Sequence, residues 1–280
     1  MKVTRMIYPD AGLGNRLYCL LSGLYWKKKL DINIDILWEI EYACCIPFGK
    51  LFKDIPGVKV KTIYTLSAKG KHALKSILGK SYINFLKRKP YYFSSEKTNQ
   101  LYKECGEEGI RKVLTECNSY CIKAYGAYAE QSHLTEAIDM LKPAEDIERK
   151  VNEIMSQYIN KEIIGVHIRR TDNVDAIKNS PLESFILYMK TEQDIVSDVV
   201  FYIATDDAEV EEYIKQQFPT IEHSYFSDKK SRRTESGMKD AYVDMLCLSR
   251  CKKIYGSYGS SFSQLAALIG GIECIVVREN

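Results

Sequence analysis

The 280-residue sequence contains no CxxC pair, and no histidine stands at zinc-ligand spacing from a cysteine. That spacing argues against a structural zinc site, and no metal is expected. Nine cysteines are an odd number, which suits a reducing compartment better than a disulfide framework. Cys117 and Cys121 are four apart, as are Cys247 and Cys251, a helical spacing at which cysteines act as small buried hydrophobes; Cys44 and Cys45 are adjacent. No signal peptide is visible, because Met1 to Arg5 leads directly into a strand-like run. The longest stretch without Asp, Glu, Lys or Arg, Ile254 to Ile272, is broken by Gly256, Gly259, Gly270 and Gly271 and is no membrane span. Nor does charge of one sign dominate: 40 basic side chains face 37 acidic ones.

What remains is an ordinary globular composition, 45% hydrophobic and 28% charged. The length corresponds to about two domains and buries enough surface to need no covalent staple. Charge is unevenly spread. Residues 1–150 carry 25 Lys and Arg against 17 Asp and Glu, whereas residues 151–280 carry 15 against 20. Between Lys50 and Lys97 lie 12 basic residues and only Asp54 and Glu96. Such a stretch is either a solvated helix face or a surface for an anionic membrane or an acidic substrate. Nucleic-acid binding is not expected, since no recognition motif accompanies the charge.

The pattern predicts a strand at Val3–Tyr8, a turn at Asp10–Gly14, a helix over Asn15–Lys29 with Leu17, Leu20, Leu21 and Leu24 on one face, and a strand at Ile32–Trp38. Residues 67–142 show no clean period. Beyond them, an amphipathic helix is expected over Ala144–Tyr158. Strands at Ile163–Ile168, Val199–Ala204, Ile254–Tyr255 and Cys274–Val277 alternate with helices at Leu182–Glu192, Ala208–Phe218, Met238–Arg250 and from Ser260 or Ser261 to Leu268. Alternation of this kind implies parallel sheets covered on both faces. The expected architecture is α/β, with an N-terminal domain over 1–143, a C-terminal domain over 144–280 and a cleft between them. Ligands of such folds bind beyond the carboxyl ends of the strands.

Five features carry chemistry. In Gly165–Asp172 an apolar strand runs into Arg169, Arg170 and Asp172; a guanidinium fork there matches phosphate oxygens, or pairs with a neighbouring carboxylate. Asp206 and Asp207 follow the next strand; one suffices as a helix cap, and the other is left to hold an arginine or a substrate hydroxyl. The Gly256–Ser261 loop offers hydroxyls and helix-start N–H groups to an anion. Asp244 interrupts an otherwise apolar helix and requires hydrogen-bond partners, from a guanine base or from Arg232, Arg233 or Arg250. Gly12-Leu13-Gly14-Asn15-Arg16-Leu17 lacks GK[ST] and the third glycine of a dinucleotide fingerprint, leaving a turn where backbone can approach a ligand. His72, His133 and His223 read as structural.

Together, His167-Ile168-Arg169-Arg170-Thr171-Asp172, Ala204-Thr205-Asp206-Asp207, Arg232-Arg233-Thr234-Glu235 twelve residues before Asp244, and Ser257-Tyr258-Gly259-Ser260-Ser261 resemble the ordered motifs of GDP-fucose-dependent fucosyltransferases. The likeness is to the core α1,6 and rhizobial nodulation types, and more weakly to α1,2 and protein O-fucosyltransferases. It covers Gly165–Ile269 and the Gly12–Asn15 turn. The resemblance implies a GT-B fold of two Rossmann-like domains, inversion at the sugar, GDP-fucose as donor and no metal. It implies that Arg169 holds the β-phosphate, with Arg170 and Asp172 beside it as catalytic candidates. His167 and Asp244 would hold guanine, Ser260, Ser261 and nearby N–H groups phosphate, and Asp206 and Asp207 would brace the arginines. Gly12, Gly14 and Asn15 would face the acceptor.

Two positions depart from the core α1,6 pattern. Asn173 stands where that pattern has lysine, and Ile177 where it has the suspected basic glutamate. Asp172, Asp175 and Asp10 are the remaining candidates for the base. With no stem or anchor visible, a Golgi enzyme is not expected. A cytoplasmic protein acting at the inner face of the membrane is, with a surface polysaccharide or lipid-linked oligosaccharide as acceptor. Two other readings stay open: a non-catalytic GDP-sugar or glycan-binding protein, and a nicotinamide-dependent oxidoreductase.

Overall fold

The computed structural model describes residues 3–66, 73–171, 173–222, 224–226 and 233–279. The chain divides into two compact units, Met1–Ala144 with Ser231–Met238, and Glu145–Lys230 with Lys239–Asn280. Ser231–Met238 lies in the expected 144–280 domain yet groups with the first unit.

The first unit opens with β1 (Arg5–Pro9), helix α1 (Leu13–Leu30) and β2 (Asp35–Ile40). It continues through β3 (Val60–Tyr64), α2 (Ala73–Lys87), β4 (Tyr92–Phe93), α3 (Ser95–Glu116), β5 (Tyr120–Ala124) and α4 (Gln131–Leu134). The five strands form one sheet in the order β3-β2-β1-β5-β4, with every pairing parallel. The expected first strand and helix are present with shifted bounds. The helix starts at Leu13 rather than Asn15, so Gly14 and Asn15 belong to its first turn. The left-handed residue of the preceding turn is Ala11, with φ +65, whereas Gly12 is extended with φ −74 and ψ 172.

The second unit runs through α5 (Glu145–Ser156), β6 (Ile163–Ile168), α6 (Val174–Asn179), α7 (Leu182–Ile195), β7 (Val200–Thr205) and α8 (Ala208–Lys215). It closes with α9 (Glu235–Leu248), which belongs to it from Lys239 on, then β8 (Lys253–Gly256), α10 (Ser261–Gly270) and β9 (Glu273–Val276). Its sheet, also parallel, has the order β7-β6-β8-β9. All six residues of β6 and of β7 are buried, as expected for strands covered on both faces. Ile164, Val166 and Ile168 pack with Phe185 and Met189 of α7 and with Phe201, Ile203 and Ile214. Burial of such side chains contributes roughly 1.5–3 kcal/mol each.

This strand order fixes where a ligand can sit. From β6 the chain moves outward to β7; from β8 it moves the other way, to β9. The chain therefore leaves the carboxyl ends of the two central strands in opposite directions, and the crevice at such a switch point is where open α/β sheets bind ligands. Helix α10 leaves from that edge and lies close against the sheet. A Cβ placed on Gly256 would come within 2.4 Å of Ser263 Oγ, 2.8 Å of its Cβ and 3.1 Å of Cys274 Sγ. Gly256→Ala is expected to force α10 away from β8 and to lower stability by ~1–3 kcal/mol, the usual cost of overpacking. An unchanged urea midpoint would contradict this packing.

Candidate functional site

At the switch point, Ser257 joins the ends of the two central strands. Its backbone N–H donates to the carbonyl of His167 at 3.1 Å, and its Oγ accepts the backbone N–H of Arg169 at 2.9 Å. Pairing thus extends one residue past the end of β6. On the other flank stands Asp206, the first residue beyond β7. Its carboxylate accepts the backbone N–H of Arg170 at 2.7 Å and the Thr171 hydroxyl at 2.7 Å. Its Oδ2 also lies 3.9 Å from Nε of Arg169. Burial acts to raise the Asp206 carboxyl. The Thr171 hydroxyl, the backbone N–H groups and the Arg169 charge outweigh it and hold the group below the usual carboxylate range.

The two arginines part ways. Arg169 keeps a partly exposed guanidinium at the crevice, with 19% of its side chain accessible. Arg170 turns inward: its Nη1 donates to the Ser180 carbonyl at 3.0 Å, and its guanidinium carbon lies 6.0 Å from the centre of the Phe185 ring. Of the two, Arg169 is the one at the crevice, and Arg170 ties the segment after β6 to α7. The aspartates divide in the same way. Asp207 caps α8, accepting from the N–H groups of Glu209 and Val210 at 2.9 and 3.2 Å, while Asp206 holds the arginine segment.

Helix α10 brings an open N-terminus to the same edge. Gly259 takes φ +63, a left-handed turn that favours glycine, and Ser260 follows as the N-cap. The Ser260 hydroxyl makes no capping bond and lies 3.5 Å from Nδ1 of His167. Helix-start N–H groups have no intrahelical partners, so this terminus and the Ser261 hydroxyl suit an anion. His167 is buried and stacks on Phe262, ring centres 4.8 Å apart. Burial, helped by the Arg169 charge, pushes its pKa down to about 3, so the ring is neutral at ordinary pH.

Asp244 is buried in α9, where the hydroxyls of Tyr202 and Tyr225 both donate to its Oδ1, at 2.7 and 3.2 Å. Burial and the Asp244 charge raise the pKa of both tyrosines, which keeps them protonated as donors. Arg250 bonds Asn152. Asn173 caps α6 by accepting from the Ala176 N–H at 3.0 Å. Asp172, Arg232, His72 and His223 lie outside the described residues.

Sequence reasoning passed over Ser180. It is fully buried; its hydroxyl donates to the Val277 carbonyl at 2.5 Å and accepts the Tyr258 N–H at 2.8 Å. Together with the Arg170 bond, this serine anchors both loops of the crevice, yet no local pattern marks it. Arg16 was missed as well. It is buried in α1 and donates to the carbonyls of Ala11 and Glu39 and to the Glu41 carboxylate, each at 2.7 Å. A charged residue on the apolar face of α1 was the available signal. His133, read as structural, pairs with Glu107 at 2.8 Å and stacks on Tyr25.

Among the described residues one acidic group, Asp10, Glu39 and Glu41 in the first unit, is close enough to hold a metal ion. Its carboxylates already serve protein partners: Lys123 and Ser95 for Asp10, Tyr8 and Thr65 for Glu39, and Arg16 for Glu41. All nine cysteines are free.

No protein-family model matches the chain. Solved structures do. The chain is similar to NodZ α1,6-fucosyltransferase soaked with GDP-fucose at 18% identity and a TM-score of 0.60, covering 96% of this chain and 93% of that one. For fucosyltransferase NodZ from Bradyrhizobium the values are 17%, 0.62, 96% and 93%. For POFUT1 in complex with GDP-fucose they are 14%, 0.59, 98% and 98%. The chain therefore has the α/β, GT-B-type fold of GDP-fucose-dependent fucosyltransferases over nearly its whole length.

The buried neutral His167 makes a stability prediction. Its pKa is about 3 in the folded protein against 6.5 for a free side chain, so its contribution is complete above 6.5 and is lost as pH falls toward 3. Between pH 7.5 and 5 the unfolded chain gains a proton that the folded one refuses, which costs about 2 kcal/mol. His167→Asn is expected to remove that part of the slope in urea titrations; an identical slope would mean the ring is not buried neutral.

Proposed function

We propose that this protein is an inverting, metal-independent glycosyltransferase that moves fucose from GDP-fucose to a glycan hydroxyl. The observation that carries this reading is Arg169, held at the switch point of the second sheet by Asp206 and Ser257, beside the open N-terminus of α10. A permanently charged guanidinium and a set of helix-start N–H groups there suit a diphosphate. NodZ soaked with GDP-fucose and POFUT1 in complex with GDP-fucose are structurally similar to this chain, which supports GDP-fucose as the source of that diphosphate.

In this reading the second unit binds the donor and the first the acceptor, with Gly12, Gly14 and Asn15 on the acceptor side. The acceptor hydroxyl attacks C1 of fucose as the bond to the β-phosphate breaks. Negative charge grows on the departing phosphate oxygen, and Arg169 stabilises it without having to reorganise. The α10 terminus, with Ser260 and Ser261, binds the phosphates, and His167 and Asp244 face the guanine, with Tyr202 and Tyr225 fixing the Asp244 carboxylate. Arg170 and Asp206 position Arg169. For the base, Asp172, Asp175 and Asp10 stay candidates; Asp175 is exposed in the first turn of α6, and Asp10 is paired with Lys123. The acceptor proposed is a surface polysaccharide or lipid-linked oligosaccharide met at the inner face of the membrane.

A second reading, a non-catalytic GDP-sugar-binding protein, is favoured by Asn173 and Ile177: one caps a helix and the other has no atom that can accept a proton. Turnover separates the two. Incubation with GDP-fucose is expected to release GDP even without acceptor, slowly, by hydrolysis; a purified protein that binds GDP-fucose and never cleaves it would be the binder.

Arg169→Ala is expected to lower transfer by on the order of 10²–10³ while leaving the unfolding midpoint near that of the parent. Normal turnover in that variant would refute the assignment. EDTA is expected to leave the rate unchanged. In a thermal-shift panel, GDP is expected to raise Tm where UDP, ADP and NAD do not, since only a ligand of the folded state stabilises it.

A further inference from the structure

We propose that α2 docks this protein onto the surface of an anionic lipid bilayer. The helix is apolar on two opposite faces. One face buries Ser76, Gly79, Ile83 and Leu86. It lies so close to β3 that a Cβ on Gly79 would fall 2.1 Å from the Tyr64 carbonyl oxygen. The other face turns outward Leu74, Ile77, Leu78 and Phe85, which are 67%, 61%, 61% and 52% exposed. At 3.6 residues per turn these four occupy one sector about 100° wide, opposite the buried four. Single exposed hydrophobes need no explanation; four large ones in one outward sector, with only Ser81 among them, do.

Charge identifies the partner. Lys75 borders the stripe on one side, Lys80 and Lys87 on the other, and α2 contains no acidic residue. Nζ of Lys89 lies 4.2 Å from the centre of the Phe85 ring, so cation and apolar side chain share one surface. The helix lies within the Lys50–Lys97 stretch, where 12 basic residues meet two acidic ones. An apolar stripe whose flanking charges within α2 are all basic, with neutral Tyr82 and Asn84 beside them, matches acyl chains beneath anionic headgroups. With 15 residues the helix is about 22 Å long, enough to lie in the interface and too short to cross it. The inference deepens the reading of a membrane-borne acceptor, but it stands on the surface of α2 and not on turnover.

The test is co-sedimentation with vesicles of phosphatidylcholine containing about one-third phosphatidylglycerol, against vesicles of phosphatidylcholine alone. The parent protein is expected to pellet with the anionic vesicles and to be released by high salt. Leu78→Ser with Phe85→Ser is expected to weaken binding more than about tenfold. Lys75→Gln, Lys80→Gln and Lys87→Gln should each weaken it about fivefold. None of these residues is among those assigned to the donor, so the GDP thermal shift reports separately on folding and on the functional reading. Vesicle binding without a GDP shift would sink the donor assignment and leave this one standing. The proposal is overturned if the parent ignores anionic vesicles, if it binds neutral ones equally, or if the serine variant binds as before. It is also overturned if the parent is a dimer that the serine variant converts to monomer, because the stripe would then belong to a second copy of the chain.

Discussion

The arrangement in the second unit depends on one carboxylate receiving backbone hydrogen bonds. Asp206 stands past the end of β7 and accepts the N–H of Arg170, two residues past the end of the neighbouring β6. Where a parallel ladder ends, the next N–H groups lose their strand partners and must find others or face water. Asp206 supplies one set, and Ser257, from the strand on the far side, supplies the other. The chain after β6 is pinned from both sides, and this directs the Arg169 side chain to the crevice and the Arg170 side chain inward.

That division explains why two adjacent arginines need not share a task. A guanidinium held on a carbonyl and beside an aromatic ring, as Arg170 is on Ser180 and Phe185, is a tie between segments. Arg169, with 19% of its side chain accessible and the Asp206 carboxylate 3.9 Å from its Nε, stays at the crevice instead. The neutral state of His167 follows from the same layout: a second cation beside Arg169, in a buried position, would cost more than the proton is worth. A neutral ring can donate and accept at once, which suits the edge of a base.

The first unit shows the same economy with a different outcome. Arg16 is fully enclosed and satisfied by Ala11, Glu39 and Glu41, so it fastens the turn after β1 to the end of β2. The surface of α2 has no such closure. Its outward residues are as apolar as its inward ones, and the proposed bilayer contact gives them a place that the described residues do not.

Much of this was legible without coordinates, for definite reasons. The runs Ile163–Ile168 and Val200–Thr205 are continuous and apolar, and only a doubly covered strand tolerates that, so their positions and the parallel class followed. Arg169 and Asp206 were visible because charged residues directly after such runs fall at the ligand-binding edge. The first helix begins at Leu13 and not at Asn15, because the turn after β1 is made by Ala11 in a left-handed conformation and ends at Gly12. The sequence by itself determined which residues lie at the carboxyl ends of the strands, since periodicity and strand length are local properties. Only the tertiary structure decided which arginine turns outward, which aspartate caps a helix and that Ser180 joins two loops. The Asp207 cap itself is local, but the partners of Arg170, Asp206 and Ser180 lie 10 to 97 residues away in the chain, at distances no local pattern encodes.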